Sequence, residues 1–424
     1  MENLKANKTV WRLKSGSDRR FRGGHPWVYS NELQESPKGI EPGGGVELCD
    51  AGGKFLARGY GNPASLIAFR TLSRDPSELN PLSTEGILWR LQRAQQLRKA
   101  VGIDRYSHRL CFGEADQLPG LIIDLYKTGK NQVIAVQAHT AGMDLALPQV
   151  LEALEKLFTE EWPHTAVVLR NDLSVRKLEG VEEKPAEVIK PLKQLTLEDC
   201  AIDIAGAQPG SVLKFHTDLV EGQKTGFFLD QSANISLLAR SVQGWSGKVK
   251  ILDLCSYVGQ WGAKLAASLK TAGAKVHVVA VDASKNALDF SKKNVEAQGA
   301  QFESIRGDVL NDLEKLPAKE FDIIISDPPA FIKGRKAIPQ GTHAYLQLNT
   351  QVFRMIKPGG FVAACSCSAL LEEEEFLKTL TKAAHRNQVQ MSWFARGTQA
   401  PDHPVLAEFP EGRYLKAWFG QARS

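Results

Sequence analysis

The sequence predicts an α/β protein in three parts. Its C-terminal part reads as a doubly wound, mostly parallel sheet, preceded by a central α+β unit and a small N-terminal β-barrel. Three observations carry this prediction. From about residue 245, apolar strand-like runs alternate with helical patterns. Before residue 75, short β-like runs are separated by Gly and Pro clusters. In the C-terminal part the polar motifs fall where apolar runs end, and ligands of such sheets sit at those carboxyl ends.

A chain of 424 residues is too long for one core. We expect domains over 1–74, 75–190 and 191–424. In the first, Val10–Leu13, Val46–Cys49, Phe55–Tyr60 and Leu66–Arg70 read as strands. Gly43-Gly44-Gly45, Gly52-Gly53 and Asn62-Pro63 punctuate them. The second opens with a helical pattern over 85–103. Leu121–Tyr126 and Val133–Gln137 follow as a hairpin, then a helix over 147–158, a strand at Ala166–Arg170 and a charged loop over 179–189. In the third, strands are expected at 249–254, 276–282, 302–305, 321–326 and 360–365. Helices are expected over 259–272, 284–298, 344–356 and 372–388.

Composition narrows the functional class. Hydrophobic content of 43% with 24% charged residues fits a soluble globular chain. No apolar run is long enough to span a bilayer, so no membrane partner is expected. The start resembles no secretory signal. Six scattered cysteines show neither disulfide-framework nor zinc spacing, so reduced thiols, a cytoplasmic address and no metal are expected. Residues 1–74 hold twelve Lys/Arg against seven Asp/Glu, a balance equal to the whole net charge of +5. A basic module on a neutral body suits a polyanion partner. Within it, Arg19-Arg20-Phe21-Arg22 and His25-Pro26-Trp27-Val28-Tyr29 interleave arginines with aromatics, a pattern that can pair with phosphates and stack on bases. Arg20 and Arg22 are read as RNA contacts, and Trp27 as a core residue.

The candidate chemistry lies in the third part. The first strand–helix turn is Asp253-Leu254-Cys255-Ser256-Tyr257-Val258-Gly259-Gln260-Trp261-Gly262. It lacks both the G-x-G-x-x-G of dinucleotide binding and the phosphate-loop Lys-Ser/Thr. An acidic start, with Gly259 admitting a ligand to the backbone, suits a cofactor without phosphates. Asp282 ends the second strand and can accept from ribose hydroxyls. Asp308 follows the third and can accept from an adenine amino group. Asp327-Pro328-Pro329-Ala330-Phe331 ends a further strand in a rigid acidic turn, and Cys365-Ser366-Cys367-Ser368 ends the next. A thiol beside a rigid acidic turn suggests covalent chemistry on an electron-poor ring. If the strand runs on to 367, Cys365 and Cys367 share one face, and periodicity alone does not choose between them.

These motifs resemble the class I S-adenosylmethionine methyltransferases. The resemblance extends to the RlmI-type family of bacterial large-subunit rRNA cytosine-C5 methyltransferases. It is carried by Gly23–Glu32, similar to that family's N-terminal PUA domain, by Gly113–Leu121 in the central domain, and by Gln223–Gln231. Asp402-His403-Pro404 and Glu411–Lys416 carry it near the C-terminus. The turn departs from the family at Cys255 and Val258, and Gln260-Trp261 is unusual. The resemblance implies a Rossmann-like methyltransferase domain that binds S-adenosylmethionine through Phe227, Gln231, Asp253, Ser256, Tyr257, Gly259, Asp282, Asp308 and Asp327. It implies Cys367 as nucleophile, large-subunit rRNA as partner and possible homodimerisation. Asp327 is the candidate base, while Pro328, Pro329, Phe331 and Lys333 would meet the substrate. Tyr345 and Asn349 match the family near the cleft. Three other readings compete: methylation of an exocyclic RNA amine, a non-catalytic RNA-binding ribosome-assembly factor, and a small-molecule methyltransferase.

Overall fold

The computed structural model describes residues 9–423. Contacts divide the chain into two compact units. One takes the chain up to Glu198, with Asp218–Gly226 and Pro401–Gly412. The other comprises Asp199–Thr217, Phe227–Ala400 and the chain from Arg413 onward. No single cut near residue 190 separates them, because two later segments return to the first unit.

The first unit holds two five-stranded sheets. The N-terminal sheet contains β1 (Thr9–Arg12), β2 (Trp27–Tyr29), β3 (Gly45–Cys49), β4 (Phe55–Gly61) and β5 (Ile67–Ser73), in the order β1-β3-β4-β5-β2. Trp11, Leu13, Phe21, Val28, Leu48 and Phe69 close its core. A one-turn helix α1 (Arg19–Arg22) places Phe21 in that core and leaves its arginines outside. The second sheet packs helix α2 (Thr84–Ala100) and the short helices α3 (Ala141–Leu145) and α4 (Leu147–Leu157) against β6 (His108–Phe112), β7 (Leu121–Thr128), β8 (Asn131–Ala138), β9 (Thr165–Leu169) and β10 (Glu187–Lys190). Ser83 caps α2 by accepting the Gly86 N–H. β7 and β8 form the expected hairpin, while β10 occupies the end of the segment expected as loop.

Buried ion pairs brace this unit. Arg98 pairs with Asp116, and Arg109 with Asp124. Thr225 Oγ1 donates to Asp124 at 2.5 Å, which ties the returning segment into the sheet. Trp27 is half-buried, as a partly core residue. Its indole N–H donates to Glu114, and its ring meets Phe409 edge-on.

The second unit carries a hairpin, β11 (Cys200–Ala205) and β12 (Val212–Thr217), and a seven-stranded sheet. Its strands are β13 (Lys248–Leu254), β14 (Lys275–Asp282), β15 (Gln301–Arg306), β16 (Phe321–Ser326), β17 (Ile356–Ser366), β18 (Gln390–Gly397) and β19 (Lys416–Arg423), in the order β15-β14-β13-β16-β17-β19-β18. All pairings from β15 to β17 are parallel, and β19 runs antiparallel to β17. The helices are α5 (Ser232–Ser241), α6 (Gln260–Lys270), α7 (Lys285–Glu296), α8 (Ile338–Met355) and α9 (Glu373–Arg386). Central strands covered on both faces must be apolar throughout, as Ile251-Leu252 and Ile323-Ile324-Ile325 are. Successive strands step outward from β13 to β15, then return to β16 on its other side. That reversal opens a crevice at the carboxyl ends of β13 and β16.

Two departures from expectation have local causes. Helix α8 starts six residues early because Pro339 sits in its first turn, where a missing N–H costs nothing. The hairpin β18–β19 was not expected from sequence, because its half-buried pattern alternates weakly.

Asn294 stitches this unit together. Its Oδ1 accepts the His216 N–H at 2.7 Å, and its Nδ2 donates to the carbonyls of His216 and Val258 at 2.9 and 2.8 Å. Asn294→Ala strands three backbone groups and is expected to cost about 2–4 kcal/mol. A urea midpoint equal to that of the parent protein would refute this.

Candidate active site

The turn after β13 is shaped by backbone conformation. Cys255, Tyr257 and Gly259 all take left-handed φ, at 58°, 48° and 78°. Such values are unfavourable for the two non-glycine residues and mark a functional turn. At Gly259 a Cβ would lie 2.5 Å from Ser291 Oγ on α7, so only glycine fits. Gly262 lets α6 lie on the sheet, where its N–H donates to Asp253 Oδ2 at 3.0 Å.

Asp253 is fully buried, and its Oδ1 has no protein partner. Burial pushes its carboxyl up to about 7, with Asp327 and Asp282 adding repulsion. The Ser256 hydroxyl is likewise buried without a partner. Asp282 is held by two backbone donors, Tyr257 N–H and Ser284 N–H, each at 2.9 Å. Two unpaired buried oxygens, a glycine cradle and a fixed carboxylate fit an uncharged or cationic polar ligand without phosphates.

Asp327 lies just past β16. Its Oδ1 accepts from Gln231 Nε2 at 2.8 Å, and its Oδ2 from Trp261 Nε1 at 3.0 Å. Asn234 Nδ2 donates to Gln231 Oε1 at 2.7 Å and fixes the orientation of that amide. Gln260 holds the adjoining segment through Phe228, donating to its carbonyl at 2.9 Å and accepting its N–H at 3.3 Å.

Strand β17 ends at Ser366, so the two cysteines separate. Cys365 remains inside the strand, opposite Ala417, and burial holds its thiol well above the ordinary range. Cys367 lies beyond the strand, half-buried, with Sγ 3.8 Å from the Pro328 carbonyl oxygen. Ser368 locks this corner. Its Oγ accepts the Ile332 N–H at 3.1 Å and lies 3.0 Å from the Tyr345 hydroxyl.

The structure thus brings together Asp253, Ser256, Tyr257, Gly259, Asp282, Gln231, Asp327, Pro328 and Cys367 on the carboxyl side of one sheet. Other expected residues are placed differently. Phe227 is a core residue packed on Phe215, and its neighbour Phe228 is the ring that faces Tyr257. Asp308 lies two residues beyond β15 and is exposed. Its carboxylate already accepts from Leu310 N–H and Asn311 Nδ2, which caps a local turn. Phe331 leans on Tyr345, with ring centroids 4.8 Å apart. Asn349 is buried and donates to the Tyr345 carbonyl. Pro329 and Lys333 are exposed. Arg20 and Arg22 belong to the first unit. Arg20 is bound to Glu32 and the Trp27 carbonyl, and Arg22 to Asp18 and Asp50.

The sequence reading missed three residues that hold the site: Asn234, Gln260 and Trp261. Trp261 had a visible signal, an indole in the first turn of a helix that starts at a ligand loop. Among the described residues, no group of three or more His, Cys, Asp or Glu is arranged to hold a metal ion. No helix among them is long and apolar enough to cross a membrane.

Asp253 sets a pH signature. Its native carboxyl titrates near 7, against an ordinary value of 3.8. Between those values the native state binds more protons than the unfolded chain. Stability is therefore full below about pH 4 and falls as pH rises towards 7, by on the order of 4 kcal/mol. Asp253→Asn should lack this loss, so its melting temperature should gain on the parent's between about pH 4 and 7. Parallel melting curves would refute the assignment.

Comparison with known proteins agrees with this geometry. A PUA-like domain model matches residues 12–74, and a methyltransferase small domain model matches residues 229–385. Two solved structures share the fold. A chain from Streptococcus mutans assigned as a SAM-dependent methyltransferase aligns with a TM-score of 0.74 at 17% identity, covering 97% of this chain and 100% of its own. A methyltransferase-assigned chain complexed with SAH gives 0.75 at 17% identity, covering 98% and 99%. Ribosomal RNA large subunit methyltransferase I of Cronobacter sakazakii is 32% identical over 417 residues, which is 96% of this chain and 97% of that protein. Its counterpart in Erwinia tasmaniensis is 31% identical over 419 residues, again 96% and 97%. With near-complete coverage at this identity, the chain belongs to the ribosomal RNA large subunit methyltransferase I family.

Proposed function

We propose that this chain methylates C5 of a cytidine in large-subunit rRNA, through a transient bond between Cys367 and C6 of the base. The observation that carries the reading is the position of Cys367. It leaves the strand at the corner where the Asp-Pro-Pro turn arrives, while Cys365 stays sealed in the sheet.

S-adenosylmethionine supplies an electrophilic methyl group on its sulfonium. Asp253, Ser256, Gly259 and Asp282 are the residues fitted to hold it, with Tyr257 and Phe228 as ring walls. Cytosine C5 is too weak a nucleophile to take the methyl group unaided. Addition of the Cys367 thiolate to C6 makes C5 an enamine carbon, which accepts the methyl group. Loss of the C5 proton to a base then expels the thiolate and restores the ring. Asp327 suits the role of fixed acceptor for the cytosine amino edge better than that of base. Both of its oxygens already accept N–H bonds, so the carboxylate is held in place and neither oxygen is aimed freely at a C5 proton. Pro328 and Pro329 hold that carboxylate rigid. On the RNA side, Arg20 and Arg22 of the PUA-like domain and the exposed Lys333 are the proposed phosphate contacts.

Incubation with labelled cofactor and unmodified large-subunit rRNA, followed by nucleoside mass spectrometry, is expected to yield 5-methylcytidine. Cys367→Ala should reduce transfer by at least about a thousandfold. It should also abolish the covalent complex with RNA carrying 5-fluorocytidine, whose C5 fluorine blocks the final elimination. Substantial methylation by that variant would sink the adduct.

Trp261→Phe keeps an aromatic ring at this buried position and removes the donor to Asp327. The loss of one bond to a charged acceptor, about 1.5–3 kcal/mol, corresponds to roughly 10- to 100-fold in kcat/KM. Unchanged kinetics would show that Gln231 alone fixes the carboxylate.

A further inference from the structure

The last strand carries a cation to the corner that holds the nucleophile. β19 enters antiparallel beside β17, with Lys416 opposite Ser366. From there the Lys416 ammonium donates to the Ser368 carbonyl at 2.9 Å and to the Tyr414 carbonyl at 3.2 Å. Both bonds are made by the charged head of a half-buried side chain, so the position of the charge is fixed rather than swept by solvent motion. Ser368 is the residue after Cys367, and it is itself locked to Ile332 and Tyr345. The ammonium is therefore held at the same rigid corner as the thiol.

The charges around the pair are consistent with a working cation. Burial pulls the Lys416 ammonium below its ordinary value, while Glu372, Cys367 and Glu373 each hold it up. Glu372 and Glu373 stand at the start of α9. Cys365 and Tyr345 also face Cys367. Burial raises the pKa of both, so they are neutral at pH 7 and do not oppose a thiolate. The Asp327 carboxylate, next to Pro328 and already raising the Cys365 thiol, is the negative charge at this corner that the ammonium offsets.

We propose that Lys416 is a positioning residue for Cys367, whose pinned ammonium stabilises the thiolate that adds to the pyrimidine. Lys416 keeps its own protons throughout, and the thiol proton passes to water before attack. The inference rests on the covalent reading given above, and its test is independent of methyl transfer.

The test is alkylation of Cys367 in the full-length protein by iodoacetamide from about pH 6 to 10, read by mass spectrometry of the Cys367 peptide. In the parent protein the rate should rise with a midpoint below that of free cysteine. Lys416→Gln keeps a donor for the carbonyls but removes the charge. It should slow alkylation at pH 7 by about three- to tenfold and move the midpoint upward. Lys416→Arg should restore the parent profile. A Lys416→Gln profile matching the parent's overturns the proposal. So does a parent midpoint at or above that of free cysteine, which decides the matter even if the Gln variant fails to fold. Methylation by Cys367→Ala would refute the adduct and leave this measurement standing.

Discussion

The Asp327 carboxylate, gripped by Gln231 and Trp261, is the contact on which the site depends. Its two donors come from segments far apart in sequence, one before β13 and one on α6. They meet because the sheet reverses its direction of growth between β13 and β16, which leaves the ends of those strands side by side. Asn234 behind Gln231 and Gln260 on Phe228 extend the grip to the segment entering α5. One carboxylate thus joins the cofactor turn, the Asp-Pro-Pro turn and the entering segment. The clamp also fixes its geometry, because a carboxylate gripped by one N–H donor on each oxygen is held in a single orientation.

Gathering acids in that crevice has a thermodynamic cost. Asp253 is buried without a full set of partners and near two further carboxylates, and its ionisation opposes folding. Such a group is tolerated where a bound ligand repays the loss. The same arrangement excludes phosphate. The nearby Lys264 on α6 is turned away to Ser236 and depressed by burial to about 8. Ligands with hydroxyl, amine or sulfonium groups fit there, and polyanions do not.

Much of this was legible in the sequence, for physical reasons. Buried parallel strands must be apolar throughout, so β13, β14 and β16 announced themselves, and the polar residues that ended them marked the crevice. Asp253, Asp282 and Asp327 could be assigned to it from order alone. What periodicity could not show was which neighbour a side chain chooses. Phe227 and Phe228 are chemically alike, and only packing sends the first to Phe215 and the second to Tyr257. Asp308 reads as another strand-end acid, and the structure adds that its carboxylate accepts two bonds inside a short exposed turn. Arg20 reads in sequence as an unpartnered arginine, whereas it already bonds Glu32 and the Trp27 carbonyl in its own domain, so a phosphate there would share it. Lys416 was hidden because β19 follows its partner strand by some fifty residues and pairs with it only through tertiary structure.

The two cysteines show how a single strand end divides identical chemistry. Alternation along an extended strand would give Cys365 and Cys367 the same face and the same surroundings. The strand stops between them. Cys365 keeps its ladder position opposite Ala417, where burial suppresses ionisation and leaves a small hydrophobe. Cys367 steps out beside the Pro328 carbonyl, in a corner whose backbone holds the Lys416 ammonium. A thiolate is tolerated where charge is solvated or balanced and refused where it is neither. The same residue type is therefore sealed in the sheet at one position and half-exposed at a strand end, as the proposed nucleophile, two residues later. The difference comes from Ser368, whose bonds to Ile332 and Tyr345 pull the chain out of the sheet at that point.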